Sequence, residues 1–69
     1  MDMEWKPGFT IRVTVDHGAV LLSANRAGLR SLSAQLAALA EETPGAHIHY
    51  DEHNSLEAGS TELVVEIRP

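Results

Sequence analysis

The sequence predicts an α+β domain in the order β-β-α-β-β, with one helix packed on a four-stranded, mostly antiparallel sheet. Three observations carry that expectation. Residues 9–15 and 61–68 alternate apolar and polar side chains, the signature of half-buried strands. Residues 26–42 repeat leucine at helical spacing, and the junctions carry Gly, Pro, Asn and Asp. The 69 residues make one small domain, residues 1–69, without repeat or linker.

The first strand is Phe9-Thr10-Ile11-Arg12-Val13-Thr14-Val15, with Phe9, Ile11, Val13 and Val15 on one face. Asp16-His17-Gly18 supplies turn chemistry, since Gly18 takes positive φ without strain. Ala19-Val20-Leu21-Leu22-Ser23-Ala24 follows, apolar on both faces as an inner strand would be. These two runs form a hairpin.

Asn25 is placed to cap the helix, its side chain accepting from an orphan backbone N–H. From Arg26 to Glu42, Leu29, Leu32, Leu36, Leu39 and Ala40 fall on one stripe. Thr43-Pro44-Gly45 stops it, because proline cannot continue the hydrogen-bond ladder.

Ala46-His47-Ile48-His49-Tyr50 reads as the third strand, with Ala46, Ile48 and Tyr50 inward and both histidines outward. A loop, residues 51–60, leads to the last strand, Thr61 to Arg68, where Leu63, Val65 and Ile67 point inward. The second and fourth strands are the more apolar, so the expected order across the sheet is first, second, fourth, third. The core should then hold Ile11, Val13, Val15, Leu29, Leu32, Leu36, Ile48, Leu63, Val65 and Ile67. Trp5 should fold over one open end of it and Leu56 plug the other, or either anchors a protein interface instead. A folded chain of this size exposes about 4,200 Å², which leaves a thin core and no deep cleft.

Composition narrows the function classes. There is no cysteine, so neither disulfides nor a Cys-based zinc site is available. The longest hydrophobic run is Ala19-Val20-Leu21-Leu22, far short of the ~20 residues of a membrane span. Met1-Asp2-Met3-Glu4-Trp5 lacks the basic head and apolar stretch of a secretory signal, so a cytoplasmic protein is expected.

Charge is unevenly spread. Residues 1–40 carry Lys6, Arg12, Arg26 and Arg30 against Asp2, Glu4 and Asp16, a balance of +1. Residues 41–69 carry Arg68 against Glu41, Glu42, Asp51, Glu52, Glu57, Glu62 and Glu66, a balance of −6. Such a surface repels phosphate backbones and attracts a basic partner, so nucleic acid is not expected.

His47-x-His49 is the sharpest local motif. Alternate strand residues project side by side, so two imidazoles can share a metal ion, with Asp51, His53, Glu62 or Glu66 as further ligands. The plainer alternative is a pair of solvent-facing histidines. The serines sit in no nucleophile motif and the glycines form no phosphate loop, so neither catalysis nor a cofactor is expected.

Two surfaces remain as candidates for a protein partner. One is the polar loop, with Asp51, Glu52, His53, Asn54, Glu57 and Ser60 as contact residues. The other is the presumed helix back of Ala27, Ser31, Ala34, Gln35 and Ala38, within the uncharged run from Ser31 to Ala40. Small residues there admit a second copy, giving a homodimer, or merely reflect alanine's helix propensity.

The stretch His47-Ile48-His49-Tyr50-Asp51, then Asn54, Leu56-Glu57, Gly59-Ser60 and Glu62-Leu63-Val64-Val65, resembles the immunity protein 32 family. The leucine-rich helix and the turn at Ala46 are also similar. The resemblance is clear over residues 44–67 and looser from about residue 18, with the HxH, GS and ELVV elements in order at matching separations. That family is assigned to bacterial polymorphic toxin systems, where a small protein protects the producing cell from a toxin. The resemblance implies a cytoplasmic binding protein rather than an enzyme, and with the acidic balance of residues 41–69 the expected partner is a basic toxin domain. His47, His49, Asp51, Asn54, Glu57 and Ser60 are the polar positions that match.

Overall fold

A computed structural model describes residues 3–69; Met1 and Asp2, part of the amino-terminal segment read above for a signal, lie outside the described residues. Five elements follow in chain order: β1 (Ile11–Asp16), β2 (Ala19–Ala24), α1 (Arg26–Leu39), β3 (His47–Tyr50) and β4 (Leu63–Glu66). The β-β-α-β-β order is as the sequence pattern requires. The two period-two runs are shorter than expected, and the helix ends at Leu39 rather than Glu42. Glu41 and Glu42 close it with N–H groups donated three residues back, to Ala38 and Leu39 carbonyls, the tightened last turn of many helices.

The strands do not form one sheet. β1 pairs only with β2 and β3 only with β4, each antiparallel, so the fold has two separate two-stranded sheets. The expected four-stranded sheet, and its order with β2 and β4 central, are therefore wrong. The reason lies in the loop before β4. Glu57 N–H donates to Ile11 O at 2.9 Å and Thr61 N–H to Val13 O at 2.7 Å. Val13 N–H in turn donates to the Ser60 hydroxyl at 3.2 Å. The edge of β1 away from β2 is thus taken by irregular backbone, which Gly59 bends at φ 87°, and the chain enters β4 on the side opposite the β2 edge where the pattern put it. β2 is left as an edge strand, not an inner one.

The β1–β2 turn behaves as its residues dictate. His17 and Gly18 both have positive φ, 50° and 80°, the requirement of a two-residue hairpin turn whose twist suits the strands. Asn25 caps α1 and does more. Its Oδ1 accepts from Gly28 N–H at 2.8 Å and Thr10 N–H at 3.1 Å, while its Nδ2 donates to Gly8 O at 2.8 Å.

The helix presents a different face from the one its leucines mark. Gly28, Ser31, Leu32, Gln35 and Leu39 are buried, whereas Leu29 and Leu36 are 51% and 42% exposed. That is a rotation of roughly a quarter turn at about 100° per residue. Gly28 explains it: a Cβ there would lie 2.7 Å from the Thr10 carbonyl and 3.0 Å from Ile11 Cγ1. Backbone meets backbone at that point, so the glycine side must face inward. The Ser31 hydroxyl accepts from Lys6 N–H at 2.8 Å and donates to Ala27 O. Gln35 donates to Glu4 O at 2.7 Å and accepts the Tyr50 hydroxyl at 2.8 Å. The presumed helix back is therefore half inside, and Ser31 and Gln35 are not available to a second copy.

The core is Ile11, Val13, Leu32, Leu39, Ile48, Tyr50 and Leu56, with Trp5, Phe9, Leu63, Val65 and Ile67 packed around it. Val15, like Leu29 and Leu36, is misassigned by the pattern and is 55% exposed. Val15 lies at the turn end of β1, one residue before Asp16, where no residue of the core cluster follows it along the strand. Leu56 plugs the core as expected, and Trp5 closes one end, stacked on Phe9 at 4.3 Å and edge-on to Tyr50.

Candidate functional site

The loop from Asp51 is built rather than slack. Asp51 Oδ1 accepts from His53 N–H at 2.8 Å and Asn54 N–H at 3.1 Å. Its carbonyl accepts from Ser55 and Leu56 N–H at 3.0 and 2.8 Å. This is the local side-chain chemistry that makes Asp a turn former. Asn54 returns the contact, its Oδ1 accepting from Asp51 N–H at 3.1 Å and its Nδ2 donating to His49 O at 2.9 Å. Glu52 accepts from Gly59 N–H, and Ser60 holds β1 through Val13. Leu56, buried beneath, anchors the loop to the core.

The six candidate contact residues therefore divide by role. Asp51, Asn54 and Ser60 shape the loop, and Glu52 braces it with an exposed carboxylate. Glu57 lies 3.7 Å from Arg12 with both side chains about half exposed, 44% and 50%, a pair that water and salt screen to little energy. His53 is exposed, and its imidazole has no hydrogen-bond partner among the described residues.

Beside the loop, β3 and β4 show their outer face. His47 stands opposite Glu66 and His49 opposite Val64. The imidazoles meet edge to face with centroids 4.9 Å apart. Nδ1 of His49 lies 3.2 Å from Glu62 Oε2, and Nδ1 of His47 lies 3.1 Å from Gly45 O. The two histidines do converge, as their spacing implies, and Glu62, the residue just before β4, meets one of them. Among the described residues, however, no three His, Asp or Glu groups are placed to hold a metal ion. The metal centre of His47, His49, Asp51 and His53 is not formed. Asp51 turns its carboxylate onto loop amides, and His49 engages Glu62 instead.

One groove opens here, about 310 Å³, lined by Met3, Trp5, His47, Ile48, His49 and Asn54. The amino-terminal segment supplies Met3 and Trp5, β3 supplies His47, Ile48 and His49, and the loop supplies Asn54. The pattern of the sequence did not join these parts, because forty residues of chain separate them. Trp5 was the one available signal, a large aromatic ahead of the first strand.

The acids of this half face solvent: Glu41, Glu42, Glu52, Glu57, Glu62 and Glu66 are exposed and Asp51 is half-buried. No helix among the described residues is long and apolar enough to cross a membrane.

A family model described as immunity protein 32 matches residues 19–67, from the first residue of β2 to just beyond β4. No curated protein and no solved structure matches the chain.

Proposed function

The chain belongs to the immunity protein 32 family, and on that premise we propose that it neutralises a cognate bacterial toxin by binding it directly. The docking surface is the acidic loop with the outer face of β3 and β4, and the toxin surface it covers is basic. The action is occlusion in the cytoplasm of the producing cell, without catalysis or cofactor.

The observation that supports this reading is the exposure of the acids together with the stiffness of what carries them. Residues 41–69 hold a balance of −6, and every glutamate among them faces water. Opposite charge accelerates encounter and fixes orientation. A loop already held by its own hydrogen bonds loses little conformational entropy on docking, which is where affinity is commonly lost. The groove between Trp5 and the two histidines suits one inserted side chain of the partner at the rim of that surface.

The test is protection of cells against a toxin found encoded beside this chain's gene, and complex formation between the purified pair. Glu57→Lys and Glu66→Lys reverse two exposed charges while sparing the Glu52–Gly59 brace. They should slow association at least tenfold and weaken protection. Protection and association rate both untouched by these changes would rule out the acidic face.

A further inference from the structure

We infer that the free edge of β2 is the contact between two copies of this chain, joined by a two-fold antiparallel β2–β2 pairing. This surface is separate from the acidic face, and the inference stands whether or not that face binds a toxin.

The hydrogen-bond phase of the hairpin shows what the edge offers. Asn25 N–H donates to Thr10 O across the ladder, and the register runs Ile11–Ala24, Arg12–Ser23, Val13–Leu22, Thr14–Leu21, Val15–Val20. Antiparallel pairs alternate between bonded and non-bonded. With Thr10–Asn25 bonded, so are Arg12–Ser23 and Thr14–Leu21. The backbone groups of Val20, Leu22 and Ala24 therefore point away from β1. Correspondingly, Ile11 and Val13 of β1 point the other way, to Glu57, Ser60 and Thr61. No strand among the described residues pairs with β2 on that side.

The edge carries none of the devices that keep strands apart. AVLLSA has no charge, no proline and no bulge. Val20 and Leu21 are 64% and 61% exposed and Leu22 36%. Val20 and Leu22 share a face with Val15 and Val13, and Leu29 and Leu36 of α1 stand exposed on the flank turned away from Ser31. Pairing at this edge brings the exposed Val20 and Leu22 of two copies together on one sheet face, with the Leu29 and Leu36 flank of each helix beside them; a specific interface needs about 1,000 Å² in total. The chain's total surface of 4799 Å² exceeds the value expected for its size by about 600 Å².

Two-fold symmetry selects a second copy as the cover. Centred on Leu22, antiparallel pairing sets Leu22 against Leu22 of the second copy and Val20 against Ala24, which satisfies every outward N–H and C=O. It keeps both helices on one side of a continuous four-stranded sheet and brings Arg26 of each copy beside the Asp16–His17 turn of the other. Asp51, Glu52, Glu57, Glu62 and Glu66 lie on the other hairpin and its loop, and Glu41 and Glu42 at the far end of α1, so β2 itself carries no acid into the pairing.

Sedimentation equilibrium of the full chain should give a mass that doubles with concentration. Val20→Pro removes one outward N–H without touching the β1 ladder, and Val20→Lys puts charge on the edge. Both should remain at the mass of one chain with unchanged circular dichroism. In parallel, hydrogen exchange at Val20, Leu22 and Ala24 should slow at least tenfold on dimerisation. A single-chain mass at every concentration overturns the inference. So does a dimer that survives both variants, or protection of β2 that appears only when the toxin is added, which would give the edge to that partner.

Discussion

Tyr50 shows how one buried polar side chain organises this small core. It has no exposed surface, and its hydroxyl donates to Gln35, whose amide reaches Glu4 O. No buried side-chain polar atom among the described residues lacks a partner. Tyr50→Phe leaves the Gln35 oxygen unmatched, and chemical denaturation should register a loss of about 1–3 kcal/mol. Burial also pushes the Tyr50 hydroxyl above its ordinary pKa of 10.0. A pKa raised by folding means the contribution is complete below the unfolded value and is lost as pH climbs through the folded one. Wild-type stability should therefore fall faster than that of the Phe variant above about pH 10. Denaturation midpoints along an alkaline series check the difference, and equal slopes would refute it. Gly28 is the second decisive residue. Gly28→Ala drives a methyl into the Thr10 carbonyl 2.7 Å away, and overpacking against backbone should cost about 1–3 kcal/mol.

At the scale of elements, α1 is fastened more by its start than by its leucines. Asn25 satisfies Gly28 N–H and Thr10 N–H and also ties down Gly8 O. Asn25→Ala removes a cap and a link between the helix and the entry to β1, so a loss of about 2 kcal/mol is expected, the upper end for caps. The leucines then separate by burial. Leu32 is 7% exposed and Leu36 42%. Leu32→Ala should cost about 2–5 kcal/mol, whereas Leu36→Ala should cost well under 2 in the single chain. Thermal or urea melts at low concentration measure both. Equal losses would contradict the helix rotation described here.

For the molecule as a whole, the two hairpins differ in what they expose. One end is apolar and open at an edge strand; the other is acidic and closed by a braced loop. Binding steered by the acidic end should depend on salt. Raising ionic strength from low to physiological should lower the association rate several-fold while the dissociation rate changes little, because screening acts on encounter beyond about 10 Å. Stopped-flow mixing with the proposed toxin partner measures both rates. A salt effect confined to dissociation would argue for short-range polar contacts instead.

Period and turn chemistry were enough to order the elements, because they act within a few residues. Phe9 to Val15, the His17-Gly18 turn, the Asn25 cap and the His47–Tyr50 alternation could all be read from neighbours in the chain. The candidate loop and the family resemblance over residues 44–67 were legible in the same way, since they rest on contiguous residues. What the pattern could not supply was decided by contacts between distant segments. Residues 57–61 bind the edge of β1 away from β2, so the chain enters β4 far from the β2 edge where the pattern put it, and two hairpins replace a sheet of four strands. Gly28 meeting Thr10, and Gln35 meeting Tyr50 and Glu4, turn the helix so that a polar seam faces inward and two leucines face out. A leucine stripe marks where burial is favourable; close approach of backbones and pairing of buried polar groups mark where it is possible. The groove of Trp5 with His47 and His49 exists for the same reason, assembled only when the amino-terminal segment lies across β3.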